Sequence, residues 1–269
     1  LVLRNFMEKM VDLLGREQSK EITRKKNFFL ALAFLISLLF SNVVFADPAG
    51  WGLDTRISFA TPDSIQQSLA IDSLGNVHIA WEDKRDGNRE IYYKKLDNNG
   101  NPLTPEIRLT NDNRQSKTPS LATDGNGNVH VVWMDDRHGI VSDSQWEVYY
   151  TKLDNNGNTL VDDTSITNAS DPYSGEFPAI FVDGSNNLHL SWDDDRDSVI
   201  SLGVSVPEIY YKKLNNNGFP LTFDIRVSFN LSGFSNIPSL AVDGNGNVHI
   251  AWDDDRHGFL SNNEIYYKK

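Results

Sequence analysis

The decapeptide DGNGNVHVVW occupies residues 124–133 and returns as DGNGNVHIAW at 243–252. Two more divergent copies, DSLGNVHIAW and DGSNNLHLSW, occupy 72–81 and 183–192. Two explanations are open for each copy: an acidic metal-binding loop followed by a histidine, or one part of a repeated architecture. Self-similarity at a regular spacing is typical of repeat folds, so the sequence around each copy decides between them.

A longer unit surrounds each copy. In the second unit, PSLATD (119–124) leads into the decapeptide, MDDR (134–137) follows it, and EVYYTKLDNNGN (147–158) comes after a variable gap. Apolar and polar residues alternate through NVHVVW, a period of two that is typical of β-strands. Asn/Gly-rich turns separate the strands. Short connecting strands, such as EIRLT at 106–110, end the units.

These features predict an all-β fold, a β-propeller of four four-stranded blades. The predicted blades cover about 61–110, 111–168, 169–229 and 230–269. The segment TRISFA at 55–60 resembles the fourth strand of a unit, and we expect it to close the last blade. An open fragment of a larger propeller is the alternative, and a β-sandwich fits the repeat less well. We further expect Trp81, Trp133, Trp192 and Trp252 to be buried equivalently between blades.

The first part of the chain reads as a targeting segment. A basic cluster at 24–26 precedes the apolar run FFLALAFLISLLF at 28–40, and Val44 and Ala46 suit a cleavage site. This pattern predicts a signal peptide with an N-terminal extension over 1–46, and a propeller domain over 47–269. An uncleaved membrane anchor is the alternative. The protein is therefore expected to be secreted, periplasmic or at the cell surface, with no membrane association after cleavage.

Charge and cysteine content exclude several classes of function. The formal net charge is −12, and the predicted mature part is more acidic still. Because nucleic acids and anionic lipids are bound through Lys and Arg, we expect no nucleic-acid partner. The chain has no cysteine, which excludes disulfides, thiolate zinc sites and thiol nucleophiles. We expect no cofactor apart from weak Ca²⁺.

The decapeptide itself offers two candidate chemistries. Its turn presents oxygen ligands at alternate positions, as a calcium loop does, although a tight turn is the favoured interpretation. The candidate weak Ca²⁺ ligands are Asp124, Asn126, Asn128, Asp243, Asn245 and Asn247. Its histidine recurs in every unit and would lie in four different blades. A hydrogen bond between blades is therefore favoured over a shared metal or catalytic role.

The W-x-D-x-R motif and the loops after it form the second candidate site. Each arginine can bind an anionic sugar, or it can pair with the aspartate two residues before it or with the glutamate of the E-[IV]-Y-Y strand. Recurrence in all four units favours the structural pair. The gap between this arginine and the E-[IV]-Y-Y strand varies between units, and variable loops on a rigid scaffold commonly bind ligands. The ligand-binding candidates on this variable-loop face are Arg137, His138, Trp146, Arg196, Arg256 and His257.

With these motifs assembled, PSLAVDGNGNVHIAWDDDRHG…EIYYKK resembles the sialidase-like, BNR/Asp-box propeller repeats of secreted proteins. The resemblance implies a propeller and a glycan-related role. It brings no unique carboxylate–tyrosine pair, and the LDNNGN turns keep only the turn character of an Asp-box. We therefore predict a non-catalytic binding or scaffold module for a glycan or protein ligand. The alternatives are a sialidase-like glycoside hydrolase and a fragment of a larger adhesin or secreted enzyme.

Overall fold

The computed structural model describes residues 8–10, 12, 52–59, 61, 63–138, 145–167, 175–197, 206–230, 233–257 and 263–269. The chain divides into two compact units, 1–54 and 55–269. The predicted signal segment lies outside the described residues, apart from helical positions 8–10 and 12, and it stays a prediction. Within the described ranges, no helix has the length and apolar character needed to cross a membrane.

Four antiparallel sheets make up the second unit. The first sheet contains β1 (Ser64–Ile71), β2 (Val77–Asp83), β3 (Glu90–Leu96) and β4 (Ile107–Arg108). The second contains β5 (Ser116–Thr123), β6 (Val129–Asp135), β7 (Glu147–Leu153) and β8 (Thr159–Ser165). The third contains β9 (Gly175–Val182), β10 (Leu188–Asp194), β11 (Glu208–Leu214) and β12 (Ile225–Arg226). The fourth contains β13 (Ser235–Val242), β14 (Val248–Asp254) and β15 (Glu264–Lys268).

The sheets are arranged as the blades of a propeller. Within each sheet the strands pair in chain order. The first strands of successive sheets contact one another, β1 with β5, β5 with β9 and β9 with β13, so the first strand of each blade is innermost. The predicted all-β, four-bladed propeller is confirmed.

All four repeated tryptophans are buried, and three of them, Trp133, Trp192 and Trp252, form contacts between blades. Trp81, Trp133, Trp192 and Trp252 are 3%, 0%, 0% and 5% exposed, which confirms their predicted burial. Ala80 of the first blade shares a buried cluster with Trp133 of the second, and Val132 shares one with Trp192 of the third. A small residue on one blade therefore faces the large indole of the next, as close packing of stacked sheets requires.

The Asn/Gly turns are stabilised by their own aspartate. The Oδ1 atom of Asp124 accepts the backbone N–H groups of Asn126 and Asn128, both at 2.9 Å. Its Oδ2 atom accepts Nδ2 of Asn128 at 2.9 Å. Gly127 completes the turn with a φ of +78°, a conformation that glycine adopts at little cost. Asp97 binds Asn99 and Asn101 in the same way in an LDNNGN turn.

The predicted pairing of residues 55–60 with the last blade is not observed. The described residues of this segment form no strand, and the fourth sheet has three strands. The Ile57 carbonyl instead accepts a hydrogen bond from Lys94 of the first blade at 3.1 Å. Lys212 donates to the Ile166 carbonyl at 3.0 Å in the same manner, and Lys268 donates to that of Val227 at 2.8 Å. The segment therefore lies on the first blade as a preceding blade's last strand would.

The first and last blades keep exposed apolar faces. Leu69 is 60% exposed, whereas Leu121 at the same position of the second blade is 5% exposed. On β15, Ile265 is 74% and Tyr267 59% exposed. These faces match the ones that are buried between the other blades, so they are left uncovered within the described residues.

Candidate functional site

A buried aspartate organises each W-x-D-x-R motif. Asp135 accepts hydrogen bonds from Nε1 of Trp133 at 2.9 Å and from Nε and Nη2 of Arg137 at 2.9 and 2.8 Å. Burial by itself raises the pKa of Asp135, but the hydrogen bonds and the charge of Arg137 outweigh it and hold the pKa below its usual range. Nη1 of Arg137 also donates to Asp163. Asp83, Asp194 and Asp254 repeat this arrangement.

The predicted ligand-binding arginines are therefore held by the chain's own carboxylates. The guanidinium groups of Arg137, Arg196 and Arg256 also lie over tyrosine rings of the third strand, at 4.1, 4.7 and 4.1 Å from the ring centroids. The three arginines belong to three different sheets. The structure assigns them to the blade edges, and a role in ligand binding stays a prediction.

The two predicted histidines extend this edge network. Nδ1 of His138 shares a hydrogen bond of 2.9 Å with the Tyr149 hydroxyl, and His257 makes the same contact with Tyr266. Aspartates take this position in the first and third blades, where they accept from the equivalent tyrosines. Each histidine therefore positions a tyrosine of its own blade, and the structure does not bring the two histidines together.

The histidine of the decapeptide bonds within its own blade. Nδ1 of His130 and the Tyr150 hydroxyl lie 2.9 Å apart, and Nε2 faces Oδ2 of Asp124 at 3.4 Å. The expected bond between blades is wrong, because the tyrosine lies on β7, the neighbouring strand of the same sheet. Burial lowers the pKa of His130 to about 4, so the ring is neutral and acts as a core hydrogen-bonding group.

The candidate calcium loops present oxygens that already have partners. Both carboxylate oxygens of Asp124 serve the turn, and Oδ2 also accepts Nδ2 of Asn216 from the next blade at 2.9 Å. Asp243 bonds Asn245 and Asn247 in the same turn geometry. In the described ranges no group of three or more His, Cys, Asp or Glu side chains is placed to hold a metal ion. Weak Ca²⁺ binding at these turns stays a prediction.

A strained bulge marks the innermost strand of every blade near the variable-loop face. Gln66, Thr118, Phe177 and Ile237 have φ values of 52°, 51°, 46° and 52°. Positive φ in branched or bulky residues costs roughly 1–3 kcal/mol each and persists where the surroundings enforce it. The N–H of Thr118 donates to buried Glu82 of the preceding blade at 3.3 Å. The N–H of Ile237 likewise donates to Asp193 of the third blade, so these two bulges turn their amides toward the blade before them.

In the third blade this region holds an unusual pair of carboxyl groups. Asp193 and Glu176 are directly opposed on β10 and β9, so their Cβ atoms lie about 4.5–5.5 Å apart. Burial and then the charge of Glu176 raise the pKa of Asp193 well above its usual value. Burial, followed in size by the negative charge of Asp195, raises the pKa of Glu176, and the positive charge of Lys117 acts in the opposite direction. Oδ1 of Asp193 has no hydrogen-bond partner in the described part of the chain.

A cation and an aromatic ring lie beside this pair. Nζ of Lys117 lies 4.5 Å from the ring centroid of Trp146, and the charge of Lys117 lowers the pKa values of both Glu176 and Asp136. Trp146 lies beside Lys117, and its carbonyl accepts the N–H of Gly175, the residue before Glu176. Lys117 and Trp146 of the second blade therefore lie near Glu176, whereas Asp193 accepts the backbone N–H of Ile237 from the fourth blade.

The sequence carries a signal for this pair outside the repeated motifs, in the residue types at the two opposed positions of each unit. The position of Glu176 is occupied by Ile65, Lys117 and Asn236 in the other units, and that of Asp193 by Glu82, Met134 and Asp253. The third unit is the one in which both opposed positions are acidic. Glu82 and Asp193 each accept the N–H of a bulge residue, Thr118 or Ile237, but only the carboxylate of Glu82 is also bound by an arginine, Arg89, among the described residues.

Comparison with known proteins establishes the fold class. No protein-family model matches the sequence, and no curated protein matches it either. Among solved structures, an endo-arabinase from Bacteroides thetaiotaomicron VPI-5482 is similar with a TM-score of 0.51 and 14% identity, covering 75% of this chain and 72% of that one. An α-L-arabinofuranosidase from Fusarium graminearum in complex with an iminosugar inhibitor has a TM-score of 0.56 and 14% identity, covering 77% and 62%.

A third similar structure is an α-L-arabinanase from Penicillium chrysogenum complexed with arabinobiose. Its TM-score is 0.51 at 10% identity, covering 74% of this chain and 64% of that one. The chain thus spans between 62% and 72% of the lengths of these three enzymes. At such identities the likeness concerns the propeller fold.

These findings correct the predicted function. The sequence predicted a non-catalytic binding or scaffold module, and the similar structures are instead glycoside hydrolases. The sequence offered no unique carboxylate–tyrosine pair, and the structure instead places two carboxyl groups, those of Asp193 and Glu176, opposite each other. The resemblance to sialidase-like repeats holds for the propeller, and the sialidase type itself is not shown.

Proposed function

We propose that the protein is a glycoside hydrolase whose reacting groups are Asp193 and Glu176, at the variable-loop end of the propeller. The observation that carries the proposal is the opposed carboxyl pair itself, in which one member is buried, unpaired at Oδ1 and raised in pKa. Perturbed titratable groups in such positions are typical of functional sites. The catalytic nature of the structurally similar proteins supports the same conclusion.

The two carboxyl groups have environments that separate their roles. Asp193 is the more buried and has the more strongly raised pKa, so it holds the shared proton and acts as general acid on the glycosidic oxygen. Glu176 is half-buried and lies near Lys117, which favours its ionised form. The pair titrates in two coupled steps because each charge opposes the other. An ionised Glu176 then faces the positive charge that develops on the sugar.

The spacing of the pair predicts the stereochemical outcome. Carboxyl groups about 5–5.5 Å apart occur in retaining glycosidases, whereas inverting enzymes need about 6.5–9.5 Å to admit a water. The Cβ atoms of directly opposed residues on adjacent strands lie about 4.5–5.5 Å apart, so the two carboxyl groups are within reach of the shorter separation. We therefore expect retention of configuration, with Glu176 as nucleophile, and proton NMR of the first-formed product anomer measures it.

The first substrates to test are arabinose-containing glycans, because two similar structures are described as arabinan-degrading and one holds arabinobiose. Full-length protein is incubated with arabinan, arabino-oligosaccharides, a fluorogenic sialoside and a panel of plant and microbial glycans, and release of reducing sugar is measured. Asp193→Asn should lower the rate by about 10²–10⁴-fold, the usual contribution of a general acid. Glu176→Gln should do the same.

One variant controls for damage to the propeller. Asp253→Asn removes the equivalent acid of the fourth blade. It should keep turnover within a few-fold of the unmodified protein. The proposal fails if no glycan is cleaved, or if Asp193→Asn and Glu176→Gln remain active.

The pH dependence of the reaction rate distinguishes a catalytic role of Asp193 from a purely structural one. Because the pKa of Asp193 is raised, the acid is protonated at low pH and loses its proton as pH rises. The rate should therefore fall on the alkaline side as Asp193 ionises, and this limb should disappear in Asp193→Asn. A flat alkaline limb in the unmodified enzyme would contradict the assignment of Asp193 as the acid.

A further inference from the structure

A cleft on the variable-loop face concentrates basic side chains in an otherwise acidic chain. It has a volume of about 520 Å³ and lies where the first and second blades meet. Lys84, Arg89 and Arg114 line it together with Asp136 and neutral polar residues. The whole chain carries a net charge of −12, so a local concentration of three cations is a departure from the general surface.

Two of these cations, Lys84 and Arg89, are replaced by other residue types at the equivalent positions of other units. Lys84 occupies the position of Asp136, Asp195 and Asp255 in the other units. Arg89 precedes the E-[IV]-Y-Y strand where Trp146 and Pro207 stand in the second and third units. The architecture is built without a cation at either position, so neither lysine nor arginine is required by the fold there.

Some hydrogen-bond donors that line the cleft have partners within the chain, and others have none among the described residues. Arg89 bonds buried Glu82 through Nη1, and its other guanidinium nitrogens have no partner in the described ranges. Arg114 lies 4.0 Å from Asp136. The ammonium group of Lys84 has no ion-pair or hydrogen-bond partner among the described residues, and the side chain is exposed. One cation is thus uncompensated beside a fixed guanidinium, which suits an oxyanion.

Lys117 lies near both the cleft and one member of the carboxyl pair. Asp136 forms part of the cleft wall, and the positive charge of Lys117 opposes the raised pKa values of both Asp136 and Glu176. A glycan chain that reached from one to the other would place a charged sugar in the cleft and a glycosidic bond at the pair.

We infer that the cleft lined by Lys84, Arg89 and Arg114 is a subsite for an anionic sugar, one that carries a carboxylate or a sulfate group. The inference rests on the proposed function for its assignment to a glycan. Elsewhere on the acidic surface a polyanionic chain is repelled. The cleft therefore fixes both the position and the direction of such a chain.

Binding is the test, and it does not depend on turnover. Isothermal titration of the full chain uses tetragalacturonate as the carboxylate probe, a sulfated tetrasaccharide as the sulfate probe and arabinotetraose as the neutral reference. We expect at least one anionic probe to bind about tenfold more tightly than arabinotetraose at low ionic strength. The advantage should shrink as salt is added, because solvent-exposed charges are screened. The stronger of the two anionic probes identifies the group recognised.

The decisive variant is Lys84→Asp, which installs the residue that the other three units have. It should weaken binding of the anionic probe about tenfold and leave arabinotetraose unchanged. Lys269→Asp makes the same change of charge after β15, at the opposite face, and should have no effect. Equal binding of neutral and anionic probes, or equal losses in Lys84→Asp and Lys269→Asp, would overturn the inference.

The outcomes also separate this inference from the proposed function. Anionic binding that depends on Lys84, without cleavage of any glycan, would defeat the proposed activity and keep the subsite. Cleavage that depends on Asp193, without preference for anionic probes, would keep the activity and defeat the subsite.

Discussion

Removal of the aspartate at the centre of one W-x-D-x-R motif should cost a large part of the stability of the propeller. Asp135 accepts five hydrogen bonds, from the Ser116 hydroxyl, the Trp133 indole, and the backbone N–H, Nε and Nη2 of Arg137. It is 1% exposed. Asp135→Ala leaves a buried indole N–H and a guanidinium without their acceptor, and breaking a buried ion pair costs about 3–5 kcal/mol.

This cost can be measured by urea unfolding followed by tryptophan fluorescence, and by calorimetry. For a domain of this size, 1 kcal/mol corresponds to roughly 2–4 °C in melting temperature. Asp135→Ala should therefore lower it by about 6–20 °C. Asp135→Asn should cost less, because one oxygen acceptor remains.

Asp97→Ala provides the matched control. Asp97 accepts three hydrogen bonds within its turn, but it is only partly buried, and the released donors return to water. The expected cost is therefore well below that of Asp135→Ala. If Asp135→Ala were no more destabilising than Asp97→Ala, the role of the buried aspartate as the centre of the W-x-D-x-R motif would be refuted.

Three further predictions concern pH, calcium and packing. The hydrogen bonds of Asp83 and Asp254, opposed by burial, lower their pKa values from 3.8 to about 2, so the stability they contribute is present above about pH 4 and lost as pH falls through about 2. Circular dichroism melts between pH 6 and 2 measure this loss, and an unchanged melting temperature would contradict it. If Asp124 serves only its turn, EDTA leaves the melting temperature unchanged, whereas a large drop identifies it as a calcium ligand. Trp133→Ala should cost about 3–5 kcal/mol through the cavity it leaves, and a cost below about 1 kcal/mol in urea unfolding would refute its role between blades.

The fold was predictable because the same signals for strands, turns and packing recur in all four units. Alternation in NVHVVW gives the strand, the Asp–Asn–Gly turns set its ends, and the small residue before each tryptophan makes room for the next blade. Each of these is a local property of about ten residues. Pairing between distant segments was harder to predict. The sequence of 55–60 matches a fourth strand, yet the structure holds Ile57 against Lys94 of the first blade rather than against β15.

The candidate site was predicted only in part, for a different physical reason. Trp146 was identified because it stands out in a variable loop, and it lies beside Lys117. Asp193 was missed because it follows a repeated tryptophan and resembles part of the motif. Its distinctive property is the environment: a carboxyl opposite on β9 and no donor for Oδ1. Such properties depend on which strand pairs with which, and single-sequence patterns do not contain them.

Equivalent positions in different blades differ in role even where the residue types are alike. Glu82 and Asp193 are both buried acids that follow a tryptophan, but Glu82 faces Arg89 and Asp193 faces Glu176. Both acids accept the N–H of the adjoining bulge, Glu82 from Thr118 and Asp193 from Ile237. The first acid is paired with a cation, whereas burial and an opposing acid raise the pKa of the second. Under the proposed function, one scaffold position therefore serves stability in the first blade and proton transfer in the third, and the charge of the neighbouring side chains determines which.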